Sequence, residues 1–403
     1  MQHCFKMTTV NQPLVLPPSI TSKTIRVKDL DVHFLQALPS SHSSSPTTQQ
    51  PLIILLHGFP ELAYSWRKVM VSLSEGGYNV VAPDQRGYGR TTMLNSSGVP
   101  IESIGFNDDL TPFRIFNLVT DIVLLVEAMN YRSVAAVVGH DFGSLVAGYC
   151  ALIRPDLFRS VVMMSAPFPG APPFQHSSEN KQSSLAWPTV MKQLAELDTP
   201  RKHYTMYFSS ADANADMLQP PQGLRNFLSD FFYAKSADWP KNAPHPLPDA
   251  SASQLTTLPH YYIMLLEQTM PMAVRNAANE GTRPLQEWLS DEDLSFYASE
   301  YSRTGFQGGL NWYRCMMDTK WNMDLQIFTG KRVTVPAMFL SGSKDWGVYQ
   351  SPGALERLKE YVCQSMDEED VVLLPNAGHW VQQEQPEAVV SRLLGFLEKV
   401  SKT

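Results

Sequence analysis

The sequence contains little cysteine, no concentrated positive charge and no long apolar run. Only four cysteines occur in 403 residues, and none forms a CxxC pair, which excludes a disulfide scaffold and a cysteine zinc site. The 32 Lys and Arg residues are outnumbered by 39 Asp and Glu residues, giving a formal net charge of −7. Without a basic cluster to neutralise phosphates, a nucleic-acid partner is not expected. No segment approaches the roughly 20 apolar residues that a membrane-spanning helix needs.

Targeting signals are also scarce. The first 23 residues lack a charged segment followed by an unbroken apolar stretch, so we expect no secretory signal. The final residues, Ser401-Lys402-Thr403, come near a peroxisomal Ser-Lys-Leu signal but lack its last Leu. We therefore expect a soluble protein with the cytoplasm as its default location. The sequence indicates nothing about the oligomeric state.

Short apolar segments that end in Gly or Asp loops recur in the first part of the chain. Segments of this kind, apolar on both faces, are typical of strands buried in a parallel sheet. They are residues 52–56, 79–84, 133–140 and 160–167. Apolar residues at helical spacing follow or separate them, at residues 116–130 and 144–155. This alternation predicts a doubly wound α/β sheet.

An earlier alternating segment, residues 24–36, precedes these strands. A polar, turn-rich stretch at residues 39–50 connects it to residues 52–56. We expect this stretch to be a long, mobile hairpin connection between the two.

The alternation of strands and helices stops after residue 167. Residues 168–324 are rich in Pro, Met, Trp and Tyr and show helical segments but no convincing strands. Strand patterns resume at residues 335–342 and 371–378, and helix patterns at residues 351–362 and 387–400. We therefore predict one core formed by residues 1–167 and 325–403, with a helical cap inserted at residues 168–324.

The most informative motif is Gly-His-Asp-Phe-Gly at residues 139–143, between a predicted strand and a predicted helix. A Gly-x-X-x-Gly turn of this kind raises its central side chain at the carboxyl edge of the sheet, where a nucleophile usually lies. The central residue is Asp141. The alternative is that Asp141 is only the N-cap of the following helix.

Two further residues follow later predicted strands. Asp345 ends the segment Gly-Ser-Lys-Asp at residues 342–345, and His379 lies in Gly-His-Trp at residues 378–380. Alone, each has a simpler interpretation as a turn former or a packed histidine. The order of nucleophile, acid and histidine along the chain is that of α/β-hydrolase triads, which favours Asp141, Asp345 and His379 as a catalytic triad.

A Gly-containing loop at residues 57–60, His-Gly-Phe-Pro, ends an early strand. The backbone N–H of Phe59, together with that of Phe142 after the nucleophile, would form an oxyanion hole. A cis peptide bond before Pro60 would fix this loop. An ordinary Gly-Pro turn is the alternative for this segment considered alone.

The segment Asp-Gln-Arg-Gly-Tyr-Gly at residues 84–89 follows the next strand. Its Asp84 and Arg86 are better explained as structural groups that pair beneath the site than as catalytic groups. We therefore do not include them among the candidate catalytic residues.

With these motifs assembled, the chain resembles the epoxide-hydrolase branch of the α/β-hydrolase superfamily, the type related to soluble epoxide hydrolase. The resemblance runs from about residue 24 to the C-terminus. It rests on HGFPE (57–61), DQRGYG (84–89), GHDFG (139–143), GSKD (342–345), GHW (378–380) and GFQGGLNWYR (305–314). It implies an α/β-hydrolase fold with a mostly parallel central sheet and an inserted helical cap.

The resemblance also implies two proton donors on the cap. In the family, the Tyr of an Asn-Trp-Tyr segment donates a proton to the epoxide oxygen, and this segment matches Tyr313. The second donor lies in a Tyr-x-x-Tyr-Phe stretch that matches residues 204–208, which favours Tyr204 with Tyr207 as a close competitor. The alternative for these tyrosines is packing in the cap core.

An Asp nucleophile suits displacement at a saturated carbon, because its attack on an ester would form a high-energy anhydride. We expect attack by Asp141 on an apolar or aromatic epoxide, and then hydrolysis of the resulting ester by water that His379 activates. The product is a vicinal diol, and no metal or organic cofactor is implied. A haloalkane or haloacid dehalogenase is the nearest alternative, with Trp312 and His140 as candidate halide donors. A non-catalytic ligand-binding protein of the same fold is the third.

Overall fold

The computed structural model describes residues 14–40, 49–174, 187–279 and 286–402. Within these ranges, nine strands form one sheet in the order β1-β2-β4-β3-β6-β7-β10-β11, with β5 paired to β2. The strands of this sheet are β1 Ile20–Val27, β2 Leu30–Ala37, β3 Leu52–Leu56, β4 Asn79–Pro83, β5 Thr92–Met93, β6 Ala136–His140, β7 Val161–Met164, β10 Ala337–Gly342 and β11 Val371–Leu374. A separate pair consists of β8 Arg201–His203 and β9 Ile263–Leu265.

The strands from β4 to β11 in the sheet order pair in parallel, and β1, β2 and β5 are antiparallel additions at one edge. A mostly parallel sheet was predicted and is confirmed. The expected hairpin between residues 24–36 and 52–56 was wrong. Residues 24–36 lie within a hairpin of their own, formed by β1 and β2, whose turn has Lys28 at φ 51°. Strand β3 pairs with β4 and β6 instead. Most of the predicted mobile connection, residues 41–48, lies outside the described residues.

Both faces of the sheet are covered because the strand side chains alternate between two apolar clusters. On β3, Leu52, Ile54 and Leu56 belong to one cluster, and Ile53 and Leu55 to the other. All five are buried, which explains the unbroken apolar run of this strand.

The helices of the core pack on these two faces. Helices α1 Arg67–Glu75 and α14 Pro386–Ser401 contact each other on one face. Helices α2 Ile115–Ala128 and α3 Phe142–Ile153 cover the other, and two four-residue helices, α12 Ala354–Arg357 and α13 Val381–Glu384, lie near the end of the chain. The predicted helix at residues 351–362 is only partly regular, since α12 passes into a wider helical turn at Leu358–Val362.

Between β7 and β10 the described chain is mainly helical, as expected. Its helices are α4 Trp187–Ala195, α5 Tyr204–Phe208, α6 Ala213–Leu218, α7 Leu224–Lys235, α8 Ala252–Leu255, α9 Met270–Ala278, α10 Asp291–Thr304 and α11 Gln307–Met317. The expectation that this region has no strands was wrong, because β8 and β9 form a short antiparallel pair. Each has three residues, too few to show an alternating pattern. The boundaries of the cap at residues 168 and 324 stay a prediction.

None of the helices in the described ranges has the length and apolar character needed to cross a membrane.

Candidate active site

The parallel strands bring the candidate site residues to one edge of the sheet. Asp141 follows β6, Asp345 follows β10 and His379 follows β11, while Phe59 follows β3. Because β3, β6, β7, β10 and β11 run in the same direction, their carboxyl ends share that edge. Positions separated by hundreds of residues in sequence therefore become neighbours.

Asp141 lies on a sharp turn between β6 and α3. Its backbone has φ 53° and ψ −119°, a region that residues other than glycine rarely occupy. The turn depends on close backbone approach at two glycines. A Cβ atom at Gly139 would lie 2.0 Å from the carbonyl oxygen of Gly143, and one at Gly143 would lie 2.3 Å from that of Leu56. Only glycine lets the strand and helix meet this closely.

Asp141 occupies the N-cap position of α3, as the simpler interpretation expected, but its carboxylate forms no capping hydrogen bond. Instead, the backbone N–H of Phe59 donates a hydrogen bond to its Oδ1 atom at 3.1 Å. The peptide bond between Phe59 and Pro60 is cis. Phe142, the other predicted oxyanion residue, begins α3 next to Asp141.

His379 lies between the two carboxylates. Its Nδ1 atom is 3.1 Å from each carboxylate oxygen of Asp345, and its Nε2 atom is 3.4 Å from Oδ2 of Asp141. Asp345 also accepts hydrogen bonds from the Ser341 hydroxyl and the Gly347 backbone N–H, at 3.1 and 2.7 Å. The side chains of His379 and Asp345 are 2% and 1% exposed, whereas that of Asp141 is 13% exposed. Asp141 is thus the member of this group that solvent and substrate can reach.

A second buried histidine supports the first, and the sequence analysis did not identify this role. The Nε2 atom of His140 donates to the backbone oxygen of His379 at 2.7 Å, and its Nδ1 atom is 2.5 Å from the Glu61 carboxylate. The side-chain amides of Gln382 and Gln383 donate to the other oxygen of Glu61. The position of Glu61 in the loop after β3 was the only sequence signal for this pair.

The charges around Asp141 favour its ionised form. Burial alone would raise the pKa of Asp141, but the interaction with His379 and the charges of Lys235 and His140 hold it well below its usual range. Burial would also raise the pKa of Asp345, but His379 and Lys235 outweigh it and lower the pKa of this carboxyl. Both groups are therefore carboxylates at neutral pH.

Lys235 supplies positive charge from the end of α7. Its ammonium group lies 5.1 to 5.7 Å from the ring centres of Phe231, Tyr262 and Trp380. Burial is the main influence on Lys235 and lowers its pKa, while Asp141 and Asp345 oppose this effect. Nothing in the sequence pattern pointed to this lysine.

The two predicted cap tyrosines lie close to each other. The ring centres of Tyr204 and Tyr313 are 6.0 Å apart, and the Tyr313 ring also contacts Phe59 and Phe142, the two predicted oxyanion residues. Tyr207 differs, because its hydroxyl donates to Asp216 at 3.1 Å. The structure therefore brings Tyr204 and Tyr313 together and directs the Tyr207 hydroxyl to another carboxylate.

Burial raises the pKa of both Tyr204 and Tyr313, and the negative charge of Asp141 raises each further. Both remain protonated, and able to donate hydrogen bonds, well beyond neutral pH.

A cleft of about 940 Å³ opens beside Tyr204. Four methionines line it, together with His203, Thr205 and residues of the core loop near Gln350: they are Met191, Met206, Met316 and Met317. Flexible, apolar methionine side chains suit an apolar ligand of variable shape. Of the predicted site residues, Tyr204 lines this cleft.

Asp84 and Arg86 serve other contacts, and they do not pair with each other. Arg86 forms ion pairs with Asp121 and Asp29, while Asp84 contacts His33 Nδ1 at 2.8 Å. Their predicted structural role is consistent with these contacts. Among the described residues, no three His, Cys, Asp or Glu side chains cluster as metal ligands would.

A family model described as the alpha/beta hydrolase fold matches residues 51–386. Among curated proteins, epoxide hydrolase B of Mycobacterium tuberculosis is 33% identical over 375 residues, covering 88% of this chain and 93% of that protein. Epoxide hydrolase 3 of Siraitia grosvenorii is 29% identical over 355 residues, covering 87% and 92%.

Solved structures give the same result. An epoxide hydrolase from an endophytic Streptomyces superposes with a TM-score of 0.71 at 25% identity, covering 96% of this chain and 98% of that one. Epoxide hydrolase I of potato, Solanum tuberosum, gives a TM-score of 0.67 at 29% identity, covering 94% of this chain and 99% of the potato protein.

The fold, the turn that carries Asp141 and these similarities define an α/β hydrolase. More narrowly, the chain belongs to the epoxide-hydrolase branch of that superfamily. The resemblance inferred from the sequence motifs is confirmed.

Proposed function

We propose that this protein hydrolyses an apolar or aromatic epoxide to a vicinal diol through a covalent ester on Asp141. The observation that carries the proposal is the position of Asp141. Its carboxylate is partly exposed, lies 3.4 Å from His379 and accepts the backbone N–H of Phe59. The Phe59 ring contacts that of Tyr313, which lies 6.0 Å from the ring of Tyr204. This arrangement provides a nucleophile, a base and acids for the leaving oxygen.

In the first step, Oδ2 of Asp141 attacks an epoxide carbon and the strained carbon–oxygen bond breaks. Oδ1 then becomes the carbonyl oxygen of the ester, since it already accepts the Phe59 N–H. The departing oxygen takes a proton from Tyr204 or Tyr313 and becomes the first hydroxyl of the product. A carboxylate whose pKa is held low is a weak base, and it must displace an oxygen that would leave as a strongly basic alkoxide. The protonated tyrosines must therefore assist this departure by donating a proton.

The negative charge of Asp141 contributes to the raised pKa of both tyrosines. Attack converts this carboxylate to a neutral ester, which removes that contribution while charge develops on the epoxide oxygen. The tyrosines therefore become stronger acids at the moment a proton is needed. This electrostatic coupling links bond formation at Asp141 to proton donation from the cap.

In the second step, His379 Nε2 takes a proton from water, and the resulting hydroxide attacks Cγ of Asp141. The N–H groups of Phe59 and Phe142 stabilise the oxyanion on Oδ1. Asp345 orients His379 and stabilises its positive charge. As the ester bond breaks, the second product oxygen takes the proton from His379. The carboxylic acid left on Asp141 gives the other water proton to the tyrosinate formed in the first step, which restores both the Asp141 carboxylate and the tyrosine.

The cleft beside Tyr204 supports an apolar substrate. An epoxide held between Asp141 and the tyrosines would extend its remaining carbon atoms along the cleft, whose volume of about 940 Å³ exceeds that of a small epoxide. Met191, Met206 and Met316 offer it an apolar lining. Aryl epoxides and long 1,2-epoxyalkanes fit this environment.

The dehalogenase alternative is less well supported, because its candidate halide donors are engaged elsewhere. The ring N–H of Trp312 donates to the backbone oxygen of Arg86 at 3.1 Å. The two ring nitrogens of His140 are also occupied, Nδ1 by the Glu61 carboxylate and Nε2 by the backbone oxygen of His379. A non-catalytic role would not require the buried carboxylate of Asp345, whose desolvation is costly.

Product analysis with the purified protein tests the proposal. Styrene oxide and a series of 1,2-epoxyalkanes should give diols, and the Asp141→Ala variant should give none above background. A haloalkane and a nitrophenyl ester serve as controls for the other reactions of this fold. Halide release without diol formation, or diol formation that survives in Asp141→Ala, would overturn the proposal.

A further inference from the structure

The loop that carries His379 is held by a carboxylate outside the predicted triad. Oε2 of Glu384 accepts hydrogen bonds from the backbone N–H groups of Ala237 and Gly378, both at 2.8 Å. Oε1 accepts the backbone N–H of Trp380 at 2.9 Å. Glu384 therefore binds the main chain on both sides of His379 and, through Ala237, the segment that follows α7.

The segment after α7 also contacts the His379 loop directly. The backbone N–H of His379 donates to the backbone oxygen of Lys235 at 2.9 Å. A Cβ atom at Gly378 would lie 2.5 Å from the backbone nitrogen of Ala237 and 2.7 Å from the oxygen of Lys235. The two backbones thus pack against each other without an intervening side chain, and the Glu384 carboxylate bridges them.

The carboxylate is held at an energetic cost. Burial raises the pKa of Glu384 to about 7, even though the three backbone N–H donors favour its charged form. A neutral side chain of similar size would avoid this cost. Groups with strongly shifted pKa values cluster at functional sites.

We propose that Glu384 is a positioning residue that holds the His379 loop against the end of α7, so that Nε2 is placed to activate water for ester hydrolysis. This inference rests on the two-step mechanism of the proposed function. In that mechanism His379 acts only in the second step. Loss of Glu384 should therefore slow hydrolysis of the Asp141 ester and leave its formation nearly unchanged.

The test measures the two steps separately in Glu384→Gln and Glu384→Ala. Single-turnover reactions with styrene oxide, quenched and analysed by mass spectrometry of the intact protein, give the rates of ester formation and ester loss. The matched control is Glu387→Gln, which makes the same charge change at an exposed position on α14. If Glu384→Ala does not fold, Glu384→Gln carries the test, because it keeps the size of the side chain.

We expect ester hydrolysis to slow by about 10- to 100-fold in the Glu384 variants, as a small displacement of a base can cause. The ester should accumulate on Asp141, and the Glu387 control should behave as the unaltered protein. Equal slowing of both steps would indicate a general structural effect and overturn the proposal, as would unchanged hydrolysis. Absence of any ester in the His379→Gln variant, in which no base activates water, would instead overturn the two-step mechanism, a distinct result.

Discussion

The Nε2 atom of His379 lies 3.4 Å from Oδ2 of Asp141, on the opposite side of the imidazole from Asp345. This relationship places a base beside the carboxyl group that would carry the ester. The other oxygen of Asp141 already accepts the N–H of Phe59. One carboxylate thus presents one oxygen for attack and one for stabilisation of negative charge.

Replacing Asp141 with Asn should abolish turnover and leave the fold intact. Asn keeps the size and shape of the Asp side chain, so the turn between β6 and α3 should be retained. The loss of the nucleophile should lower kcat by at least about 10⁴-fold. Steady-state diol formation measures the effect, and the thermal midpoint should stay near that of the unaltered protein. Substantial diol formation by this variant would contradict the assignment of the nucleophile.

His379→Gln should separate the two steps. Asp141 can still attack the epoxide, but no base activates water, so the ester should persist. We expect the intact protein to gain the mass of one substrate molecule, located by peptide mapping to the segment containing Asp141. An unmodified protein after prolonged incubation with substrate would argue against the role of His379.

The cap tyrosines should affect ring opening. Tyr204→Phe and Tyr313→Phe should each slow ester formation by about 10- to 100-fold, and the double variant by about 10²- to 10⁴-fold. Tyr207→Phe is the matched control, because its hydroxyl donates to Asp216 and should affect catalysis little. Stopped-flow measurement of the first turnover reports these rates. A normal rate in the double variant would remove both residues from the site.

The rate of ester formation should be nearly independent of pH between about pH 5 and pH 9. It requires ionised Asp141, whose pKa lies below its usual range, and protonated Tyr204 and Tyr313, whose pKa values are raised. The acid loss should therefore begin below this interval and the alkaline loss above it. Rapid-quench measurements on the unaltered protein across this interval test the prediction. A bell-shaped profile within it would contradict these charge states.

Gly139→Ala should destabilise the protein, since the new Cβ atom would lie 2.0 Å from the oxygen of Gly143. We expect a loss of at least about 1–3 kcal/mol in the free energy of unfolding. Gly395→Ala is the control, because nothing lies near its Cβ position and it is within α14. This change should be neutral or stabilise by up to about 1 kcal/mol. Urea unfolding of both variants gives the comparison, and equal stabilities would contradict the close approach at the turn.

The sequence contained enough information to predict where Asp141, Asp345 and His379 meet. Each follows an apolar segment, and parallel strands end at a common edge, so strand order did not need to be known. The hairpin of β1 and β2 was missed because its turn has Lys28, and no glycine or asparagine marks the positive φ.

Contacts within the cap and between the cap and the core could not be predicted from the sequence. Tyr204 and Tyr207 lie on the same short helix, and only the position of Asp216 distinguishes their hydroxyls. Glu384 and Ala237 are 147 residues apart, and a carboxylate that binds only backbone groups leaves no side-chain pattern to detect. Such pairings depend on how the cap packs, which local periodicity does not describe.

The covalent ester on Asp141 is the central claim, and isotope labelling tests it most directly. The protein, in excess over styrene oxide, is allowed a single turnover in water enriched in ¹⁸O, and the diol and the protein are analysed by mass spectrometry. We predict that the diol contains no ¹⁸O, because its second oxygen comes from Asp141, and that the label appears in the peptide containing Asp141. Label in the diol and none in the protein would show direct attack by water and contradict the account.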